Sequence, residues 1–415
     1  MQIKVNSEIG HLNGVILHTP GQELENMTPE TAQRALYSDI LNLNVVLEEY
    51  SQFKGVLDKI TKTFEVVTLL EEILSNDKVK LDLVNRVCTN ENALEIKDYL
   101  LELTSSELCK QLMQGVVLKK DSLTKFLSKD KYALQPLHNF FFTRDSAIAV
   151  NNRVLIAKMA NHVRKRESLI MEFILNEHPE FETKTINPEN YEGFHAGMTV
   201  EGGDILIARE DILLIGSSSR TSTQGIDFII DRLKDKKLQR HIIIQELPSS
   251  PESFIHLDMV FTILDKETCM AYEPLILKPN KYQTIHVDIN NGIVKSIEQE
   301  ENIPSILKKL GMDLKPIMCG GTIDEWVQER EQWHSGANFF AIAPGKIIGY
   351  GRNVYTMNEL NKNGFEIVHS QDVIDGKINI DNYPKCVITI EGSELARGGG
   401  GARCMTLPLN REDIY

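Results

Sequence analysis

The sequence predicts an α/β fold of hairpin units repeated around a shared axis, with a helical insertion in its first third. Two observations lead to this prediction. The chain repeats a unit in which a polar residue opens an apolar hairpin about a dozen residues long, usually followed by a helical run. A separate zone, residues 73–132, is rich in Leu, Lys, Glu and Asp, contains a single Gly and has apolar residues at helical spacing.

The repeating unit occurs four times from residue 138 onward. Hairpin-plus-helix units cannot close as a parallel sheet alone, so we expect radial repetition, with the polar residue that opens each hairpin pointing toward the shared axis. The alternative is a set of unrelated hairpins whose acidic residues are ordinary turn residues. The opening residues and predicted strands are Asp145 with 146–150 and 154–157, Asp204 with 205–208 and 212–215, Asp258 with 259–264 and a strand ending at Ala271, and Asn338 with 339–343 and 346–350.

The first 72 residues predict a strand over 14–19, a helical stretch around 32–60 and a second strand over 64–70. In the zone that follows, Thr104 offers a helix N-cap and Gly115 can end that helix. We interpret residues 73–132 as a small helical insertion, which divides the main domain into 1–72 and 133–415. The alternative is that this zone belongs to the main core.

Composition limits the class of function. With 42% apolar and 25% charged residues, the chain is that of an ordinary globular protein. A formal charge of −14 disfavours nucleic acid or an anionic membrane as partner and is compatible with a cationic small substrate. The N-terminus lacks the apolar core of a signal peptide, no stretch is long enough to span a membrane, and six scattered cysteines suit a reducing compartment. We therefore expect a cytoplasmic protein.

The most specific local signal is a run of four glycines at 398–401, followed by Ala402, Arg403 and Cys404. Such a run suits backbone that approaches a ligand closely or moves, because glycine has the most conformational freedom to lose in a helix or strand. A cysteine beside an arginine is placed where the thiolate is electrostatically favoured. Cys404 is a candidate nucleophile, and the alternative is a small buried apolar residue. The local sequence leaves both open.

A cysteine nucleophile needs a proton-transfer partner, normally a histidine, and a group that orients it. His256 stands two residues before Asp258, and residues two apart on a strand face the same side. Glu201 opens the second hairpin in the same way and is followed by two glycines that permit close approach. One such residue alone is more often structural, but an imidazole and three acidic groups at equivalent hairpin openings indicate a site.

Motifs across nearly the whole chain resemble those of the arginine deiminases, in the guanidine-modifying (pentein) superfamily. They occur in the family's order and at similar spacing. The matching stretches are Leu17-His18-Thr19-Pro20-Gly21, Asn139 with Thr143-Arg144-Asp145, Glu201-Gly202-Gly203-Asp204, Arg220-Thr221-Ser222, His256-Leu257-Asp258, Arg330-Glu331-Gln332-Trp333, Tyr350 with Arg352-Asn353, and Gly400-Gly401-Ala402-Arg403-Cys404-Met405.

The resemblance implies a five-bladed ββαβ propeller with an inserted helical domain, and hydrolysis of L-arginine to L-citrulline and ammonia. Cys404 matches the nucleophile, His256 the general acid and base, and Glu201 the carboxylate associated with that imidazole. Asp145 and Asp258 match the pair that grips the guanidinium. Asn139, Arg164 and Arg220 match positions that hold the substrate's α-carboxylate and neighbouring groups. Asp204 matches a position that lines the pocket.

Those roles are physically consistent. A guanidinium is a poor electrophile, and two carboxylates in a water-excluding pocket can orient its nitrogens through charge-assisted contacts. Its carbon then lies about 3–3.5 Å from the sulfur, as a near-attack geometry needs. An imidazole that serves first as acid and then as base needs a pKa near neutrality. A neighbouring carboxylate would raise the pKa of this imidazole. This chemistry requires no metal and no organic cofactor.

Four positions depart from the pattern of many deiminases: Gly399 replaces an arginine, Gly351 and Ser38 replace acidic residues, and His334 follows Trp333 where Asp or Asn is usual. Substrate choice is therefore open. The alternatives are an arginine dihydrolase that forms ornithine, a hydrolase of a modified arginine or citrulline, an amidinotransferase, and a propeller that binds without catalysis. The sequence does not set the oligomeric state, and a homo-oligomer is compatible with it.

Overall fold

Short strands and helices alternate along the chain, and the computed structural model describes them for residues 1–28, 37, 39–234 and 238–415. The strands, in chain order, are β1 (Leu12–Leu17), β2 (Lys62–Glu65), β3 (Val116–Val117), β4 (Tyr132–Leu134), β5 (Ala147–Val150), β6 (Arg153–Ile156), β7 (Thr185–Ile186), β8 (Ile205–Arg209), β9 (Ile212–Ser217), β10 (Arg240–Glu246), β11 (Phe261–Ile263), β12 (Thr268–Ala271), β13 (Thr284–Asn290), β14 (Ile293–Glu300), β15 (Lys315–Met318), β16 (Phe340–Ala343), β17 (Lys346–Tyr350), β18 (Glu366–His369), β19 (Cys386–Ile390) and β20 (Leu407–Arg411). The α-helices are Gln22–Glu25, Leu43–Ile60, Val66–Leu74, Asp77–Asn90, Lys97–Glu102, Ser105–Gln114, Leu123–Leu127, Thr143–Ser146, Lys165–Glu177, Thr223–Leu233, Glu273–Ile276, Ile303–Lys309, Glu325–Trp333, Val354–Lys362 and Ser370–Ile374.

Five of the six sheets in the described part of the chain share one strand pattern. Each contains an antiparallel pair and a third strand that runs parallel to the second member of that pair. These sets are β5–β6 with β7, β8–β9 with β10, β11–β12 with β15, β16–β17 with β19, and β20–β1 with β2. The last set joins strands from the two ends of the chain, and β13 and β14 extend the sheet of the second set.

A helix lies in sequence between the second and third strands of every set. These helices are Lys165–Glu177, Thr223–Leu233, Ile303–Lys309, Val354–Lys362 and Leu43–Ile60. The four predicted hairpins are confirmed as antiparallel pairs. In the third of them the first strand starts later than predicted, because Leu257–Met259 forms a 3-10 turn.

The predictions for the first 72 residues need correction. The second strand ends at Glu65 rather than at residue 70, and Val66–Leu74 is a helix. Its buried residues are Val66, Leu69, Leu70, Ile73 and Leu74, a helical spacing that an apolar run this short does not distinguish from a strand. The first strand is Leu12–Leu17, and the predicted helix begins only at Leu43, capped by Asn42. Residues 29–36 and 38 of that stretch lie outside the described residues.

Residues 73–132 are mostly helical, as the sequence predicts. The Thr104 side chain accepts a hydrogen bond from the Glu107 N–H, and the Glu107 carboxylate accepts one from the Thr104 N–H. This reciprocal pair satisfies two donors at the start of Ser105–Gln114. The helix ends at Gly115, whose φ of 84° suits a glycine.

The helices of this zone are not isolated from the rest of the protein. Leu108 and Leu112 belong to the same buried apolar cluster as Ile148 of β5 and Ile170 of the helix Lys165–Glu177. Arg166 of that helix also donates to both carboxylate oxygens of Glu91, at 2.6 and 2.8 Å.

Within the described residues, no helix is both long and apolar enough to cross a membrane.

We expect Thr104→Ala to lower the free energy of unfolding by about 1 kcal/mol, because it removes an N-cap. Urea unfolding followed by circular dichroism measures the change. Ser105→Ala is the matched control, since Ser105 is the first helical residue and not the cap. Equal losses in the two variants would contradict this role of Thr104.

Candidate active site

Residues that open the antiparallel pairs converge on one buried sulfur. Asp145 precedes β5, Asp258 precedes β11 and Asn338 precedes β16. Cys404 itself lies three residues before β20, so it opens the fifth antiparallel pair as the others open theirs. The Asn338 amide donates to the Cys404 sulfur at 3.2 Å, and the thiol lies 3.7 and 3.9 Å from the two oxygens of Asp258.

The Cys404 thiol is held protonated by its surroundings. Burial raises its pKa well above the usual value, and the carboxylates of Asp258 and Asp145 raise it further. The Gly401 backbone and the charge of Arg403 act in the opposite direction but do not outweigh them. The expected stabilisation of the thiolate by Arg403 is therefore present, yet too weak to ionise the sulfur at neutral pH.

Arg403 is bonded to carboxylates rather than to the sulfur. Its guanidinium donates to the two oxygens of Glu8 at 2.9 and 3.0 Å, and to Asp258 Oδ2 at 2.7 Å. Burial raises the pKa of Glu8, but Arg403 outweighs it and lowers that pKa to about 2. Arg403 thus fixes Asp258 through Oδ2, and both oxygens of this carboxylate lie near the Cys404 sulfur, Oδ2 at 3.7 Å and Oδ1 at 3.9 Å.

Asp145 is held in the same way by Arg164. Arg164 Nη1 donates to Asp145 Oδ2 at 2.7 Å, and Nε and Nη2 donate to Glu167 at distances of 2.8–3.2 Å. Asp145 Oδ1 is buried and has no hydrogen-bond partner among the described residues. Arg164 thereby orients Asp145, and these bonds engage most of the donors of its guanidinium.

His256 is buried between two carboxylates. Its Nε2 is 3.0 Å from Glu201 Oε2, and its Nδ1 is 3.6 Å from Asp145 Oδ1. Burial lowers the pKa of His256, but the charges of Asp145, Glu201 and Asp204 outweigh it and raise the pKa to about 9. Burial raises the pKa of Glu201, but the hydrogen bond from His256 and the charge of Arg220 lower it to about 2. At neutral pH the two form an imidazolium–carboxylate pair.

Gly203 makes this close arrangement of groups sterically feasible. A Cβ atom at Gly203 would lie 2.6 Å from His256 Nδ1 and 3.0 Å from Asp145 Oδ1. Any side chain there would push the imidazole out of place. The expectation that glycines after Glu201 permit close approach is confirmed at this position.

The other predicted residues divide into two groups. Asn139 and Arg220 line the cavity above the sulfur, and Arg220 Nη1 lies 3.8 Å from Glu201 Oε1. Asp204 is fully buried and turned elsewhere: its carboxylate accepts from the Leu257 N–H at 3.0 Å and from the Ser218 hydroxyl at 2.6 Å. Burial raises the pKa of Asp204 to about 7. Asp204 braces the segment that carries His256 and, among the described residues, is not part of the cavity wall.

The cavity over Cys404 is narrow. Its volume of about 30 Å³ is that of one water molecule, whereas pockets for small molecules usually measure about 300–1,000 Å³. An arginine-sized ligand therefore requires a wall to move. The lining residues are Asn139, Phe142, Asp145, Arg164, Arg220, Ile255, His256, Gly398, Gly399, Gly400 and Cys404.

Gly399 is the departure that bears on this wall. Its φ is 82°, a conformation that favours glycine, and no atom lies within 4 Å of the place where a Cβ would stand. Arg352 follows Gly351 in the chain, and its Nη2 lies 3.4 Å from His334 Nε2. Its Nη1 donates to the Gly392 carbonyl, in the loop that leads to the glycine run. Ser38 lies outside the described residues.

Three residues of the site were not predicted to act in it. Asn338 accepts from the Arg403 N–H and donates to Cys404, and its place as the opener of the fourth hairpin was a signal. Glu167 lies three residues after Arg164 on the same helical turn, a spacing typical of ion pairs. Glu8 carries no local signal, because its partner lies 395 residues away.

Asp145, Glu201 and His256 bring three potential ligand atoms within 4.8 Å of one another, close enough to hold a metal ion. A metal needs a lone pair on the imidazole. Here both ring nitrogens face carboxylates, and the raised pKa of His256 keeps both protonated at neutral pH. The three groups are better arranged to hold and transfer a proton.

The family model described as arginine deiminase matches residues 33–411. The chain belongs to the arginine deiminase family. It is 34% identical to the arginine deiminase of Bacillus cytotoxicus and 32% identical to arginine deiminase 1 of Staphylococcus epidermidis. Each alignment covers 99% of this chain and 99% of the relative.

Solved structures share the fold at low sequence identity. The amidinotransferase SxtG from Microseira wollei has a TM-score of 0.56 and 13% identity, covering 99% of this chain and 98% of that one. DDAH from Pseudomonas aeruginosa in complex with citrulline has a TM-score of 0.51 and 15% identity, covering 96% and 99%. The N-terminal domain of ArgZ, an arginine dihydrolase from cyanobacteria, has a TM-score of 0.53 and 12% identity, covering 97% and 99%. These matches show an α/β fold that the chain shares with enzymes of different activities.

NMR titration of the imidazole should give a pKa of about 9 for His256. The contribution of protonated His256 to the free energy of unfolding is therefore fully present below pH 6.5, the ordinary pKa of histidine. This contribution is lost as the pH rises through about 9. Glu201→Gln should lower the pKa of His256, while Glu72→Gln, beside His178, should leave it unchanged. A pKa of His256 that does not respond to Glu201→Gln would exclude the proposed pair.

Asp258→Asn should lower the pKa of Cys404, because it removes a negative charge 3.7 Å from the sulfur and leaves Arg403 less compensated. The rate of alkylation by iodoacetamide against pH measures this pKa. Asp265→Asn, at the hairpin after β11, serves as the control and should not shift the profile. An unchanged or raised pKa in Asp258→Asn would show that the electrostatic account is wrong.

Proposed function

We propose that this protein hydrolyses L-arginine to L-citrulline and ammonia through a covalent thiouronium on Cys404. The observation that carries the proposal is the pair of carboxylate oxygens beside one buried sulfur. Asp145 and Asp258 each give one oxygen to a buried arginine, at 2.7 Å in both cases. Asp145 Oδ1 has no hydrogen-bond partner among the described residues, and Asp258 Oδ1 accepts from the Cys404 thiol at 3.9 Å, so in this proposal both oxygens receive the ligand when it binds.

The charge around the sulfur supports a cationic substrate. Arg164 is bonded to Asp145 and Glu167, so two acids surround one arginine. Arg403 is likewise bonded to two acids, Asp258 and Glu8. The first set has excess negative charge when both of its acids are ionised, whereas Arg144 and Arg411 are further cations near Glu8 of the second set. A planar guanidinium with several N–H donors matches two carboxylates in geometry as well as in charge.

Binding of a guanidinium would also activate the nucleophile. Asp258 and Asp145 help to keep the Cys404 thiol protonated. A cation held between them offsets their charge, so the pKa of Cys404 falls as the substrate binds. The sulfur then loses its proton to solvent and becomes the attacking thiolate only when a guanidinium is present.

The reaction proceeds in two halves. The Cys404 thiolate forms a bond to the guanidinium carbon, and protonated His256 gives its proton to the departing nitrogen, which leaves as ammonia. A thiouronium cation and neutral His256 remain. His256 then takes a proton from water, whose oxygen bonds to the same carbon. The C–S bond breaks, the oxygen loses its second proton, and citrulline and the thiol are released.

Glu201 and Arg220 complete the proposal. Glu201 holds the imidazole and stabilises its protonated form, so that His256 starts the cycle as an acid. Arg220 is the better placed of the two predicted arginines to receive the substrate's α-carboxylate, since Arg164 is engaged with Asp145 and Glu167. Asn139 contributes to the same wall, and Asp204 acts as the brace of the His256 segment.

We also propose the larger architecture that the family implies. The five sets of an antiparallel pair, a helix and a parallel strand support a five-bladed ββαβ propeller, with the polar openers pointing inward. In this proposal residues 73–132 form a helical insertion into a propeller made of 1–72 and 133–415. A cytoplasmic location is supported by six cysteines that are all free.

Cys404→Ser should retain the fold and lose at least on the order of 10³-fold in the rate of ammonia release from arginine, because an alcohol is a weak nucleophile at its usual pKa. Cys88→Ser, in the helix Asp77–Asn90, is the control and should keep its activity. Turnover by Cys404→Ser at the parental rate would mean that another group is the nucleophile.

Product analysis separates the proposed reaction from others on this fold. Incubation with arginine should give equal amounts of citrulline and ammonia. Ornithine without accumulated citrulline would replace the proposal with a dihydrolase. Transfer of the amidino group to added glycine or lysine would replace it with an amidinotransferase.

A further inference from the structure

One hairpin of the helical zone exposes large apolar side chains to solvent, and it takes no part in the site described above. Residues 117–131 form the tip of the hairpin between β3 and β4, and this hairpin tip contains the helix Leu123–Leu127. Most of its residues are exposed. Four apolar residues of the hairpin tip are each 70–74% exposed: Val117, Leu123, Phe126 and Leu127.

Three of these side chains lie on one face of the short helix. Phe126 and Leu127 follow Leu123 by three and four residues, the spacing that places side chains on the same side of a helix. Among the described residues, neither of the two buried apolar clusters includes any of the three. An exposed group of large apolar side chains marks a surface for interaction.

The conformation of the hairpin tip is held by polar groups. The Ser122 hydroxyl accepts a hydrogen bond from the Lys125 N–H at 3.3 Å and so caps the start of the helix. Lys120 Nζ donates to the carbonyls of Ser128 and Asp130, at 2.8 Å in both cases, just after the helix ends. These bonds fix both ends of the helix, so the hairpin tip does not depend on its apolar face for its shape.

The hairpin tip is basic, although the formal charge of the whole chain is −14. Lys125 is paired with Asp121 at 3.3 Å, whereas three other lysines are exposed and have no ion-pair partner in the part of the chain that the structure describes. The net charge disfavours an anionic membrane, but docking depends on the local potential, which is positive here. The lysines are Lys119, Lys120, Lys125, Lys129 and Lys131, and the acidic residues are Asp121 and Asp130.

We propose that the hairpin tip docks this protein on the surface of an anionic lipid bilayer. Phe126 and Leu127 enter the boundary between headgroups and acyl chains, and the lysines contact the lipid phosphates and carboxylates. Apolar side chains on one helix face, flanked by lysines, are the combination that binds such a surface without spanning it.

The charge of the hairpin tip favours lipid over a second copy of this chain. A two-fold interface would place the same patch of both copies together, so the lysines of one would face the lysines of the other. An anionic bilayer instead offers negative charge to the lysines and apolar depth to the helix face. It also needs no groove of matching shape.

Flotation of the full-length protein with lipid vesicles tests the proposal. We expect binding to vesicles of equal parts phosphatidylcholine and phosphatidylserine, no binding to phosphatidylcholine alone, and weaker binding as the salt concentration rises. The paired changes Phe126→Ser with Leu127→Ser, and Lys119→Glu with Lys129→Glu, should each weaken binding at least about tenfold.

Matched control variants carry the same changes at exposed positions elsewhere. They are Ile323→Ser with Trp326→Ser, at residues 84% and 82% exposed, and Lys295→Glu with Lys308→Glu. Both controls should bind vesicles as the parent does. Because every changed residue lies on the surface and outside the site, all variants should keep the parental melting temperature and rate of ammonia release.

Tryptophan fluorescence shows whether the hairpin tip itself enters the lipid. The emission of Phe126→Trp should shift to shorter wavelength with the phosphatidylserine vesicles, and that of Ile323→Trp should not. A parent that does not float with these vesicles, or hairpin-tip variants that float as well as the parent, overturns the proposal. A parental dimer in light scattering without lipid, which Phe126→Ser with Leu127→Ser dissociates, would replace it with self-association.

Discussion

The arrangement at the sulfur depends on buried ion pairs, above all on Arg403 held between Glu8 and Asp258. An ionised group taken out of water costs several kcal/mol unless it is paired and hydrogen-bonded. Arg403 meets that requirement with three bonds to two carboxylates and one to the Ile205 carbonyl. Because Arg403 directly precedes Cys404, the same bonds fix the backbone that carries the proposed nucleophile. The loss of either acid would leave Arg403 with a single carboxylate partner and weaken the hold on the backbone beside Cys404.

Such a cluster explains why the protein tolerates so many charges in its interior. Asp145, Glu167, Glu201 and Asp258 are all buried, and each one contacts an arginine or the imidazolium of His256. In the proposed mechanism each of these pairs has a part. The arginines aim the acids, the acids set the protonation of the thiol and the imidazole, and a dry interior makes every one of these effects stronger than in water.

The parts of this arrangement that could be predicted from sequence are those with a local signature. The hairpins showed an apolar period with turn residues, and the glycines around Glu201 and Cys404 marked close approach. Thr104 and Gly115 gave both ends of a helix. By contrast, the strand predicted over 64–70 was wrong after Glu65, because a short apolar run fits a buried strand and a buried helix equally well. Glu8 could not be found at all, since pairing across 395 residues leaves no pattern in either segment. The family resemblance placed Asp204 in the pocket, and it opens a hairpin as Asp145 does, but its carboxylate turns toward Ser218 and Leu257.

The pairing of β20 with β1 has a consequence for biogenesis. Cys404, the proposed nucleophile, opens a unit whose first strand, β20, follows the other described strands in the sequence and whose second strand, β1, precedes them. During vectorial synthesis β1 emerges from the ribosome with its edge open and waits for nearly the whole chain before β20 can cover it. Closure across so long a stretch carries a high entropic cost and is intrinsically slow. Nascent chains can therefore build several units before the segment that carries Cys404, the proposed nucleophile, is synthesised and joins them.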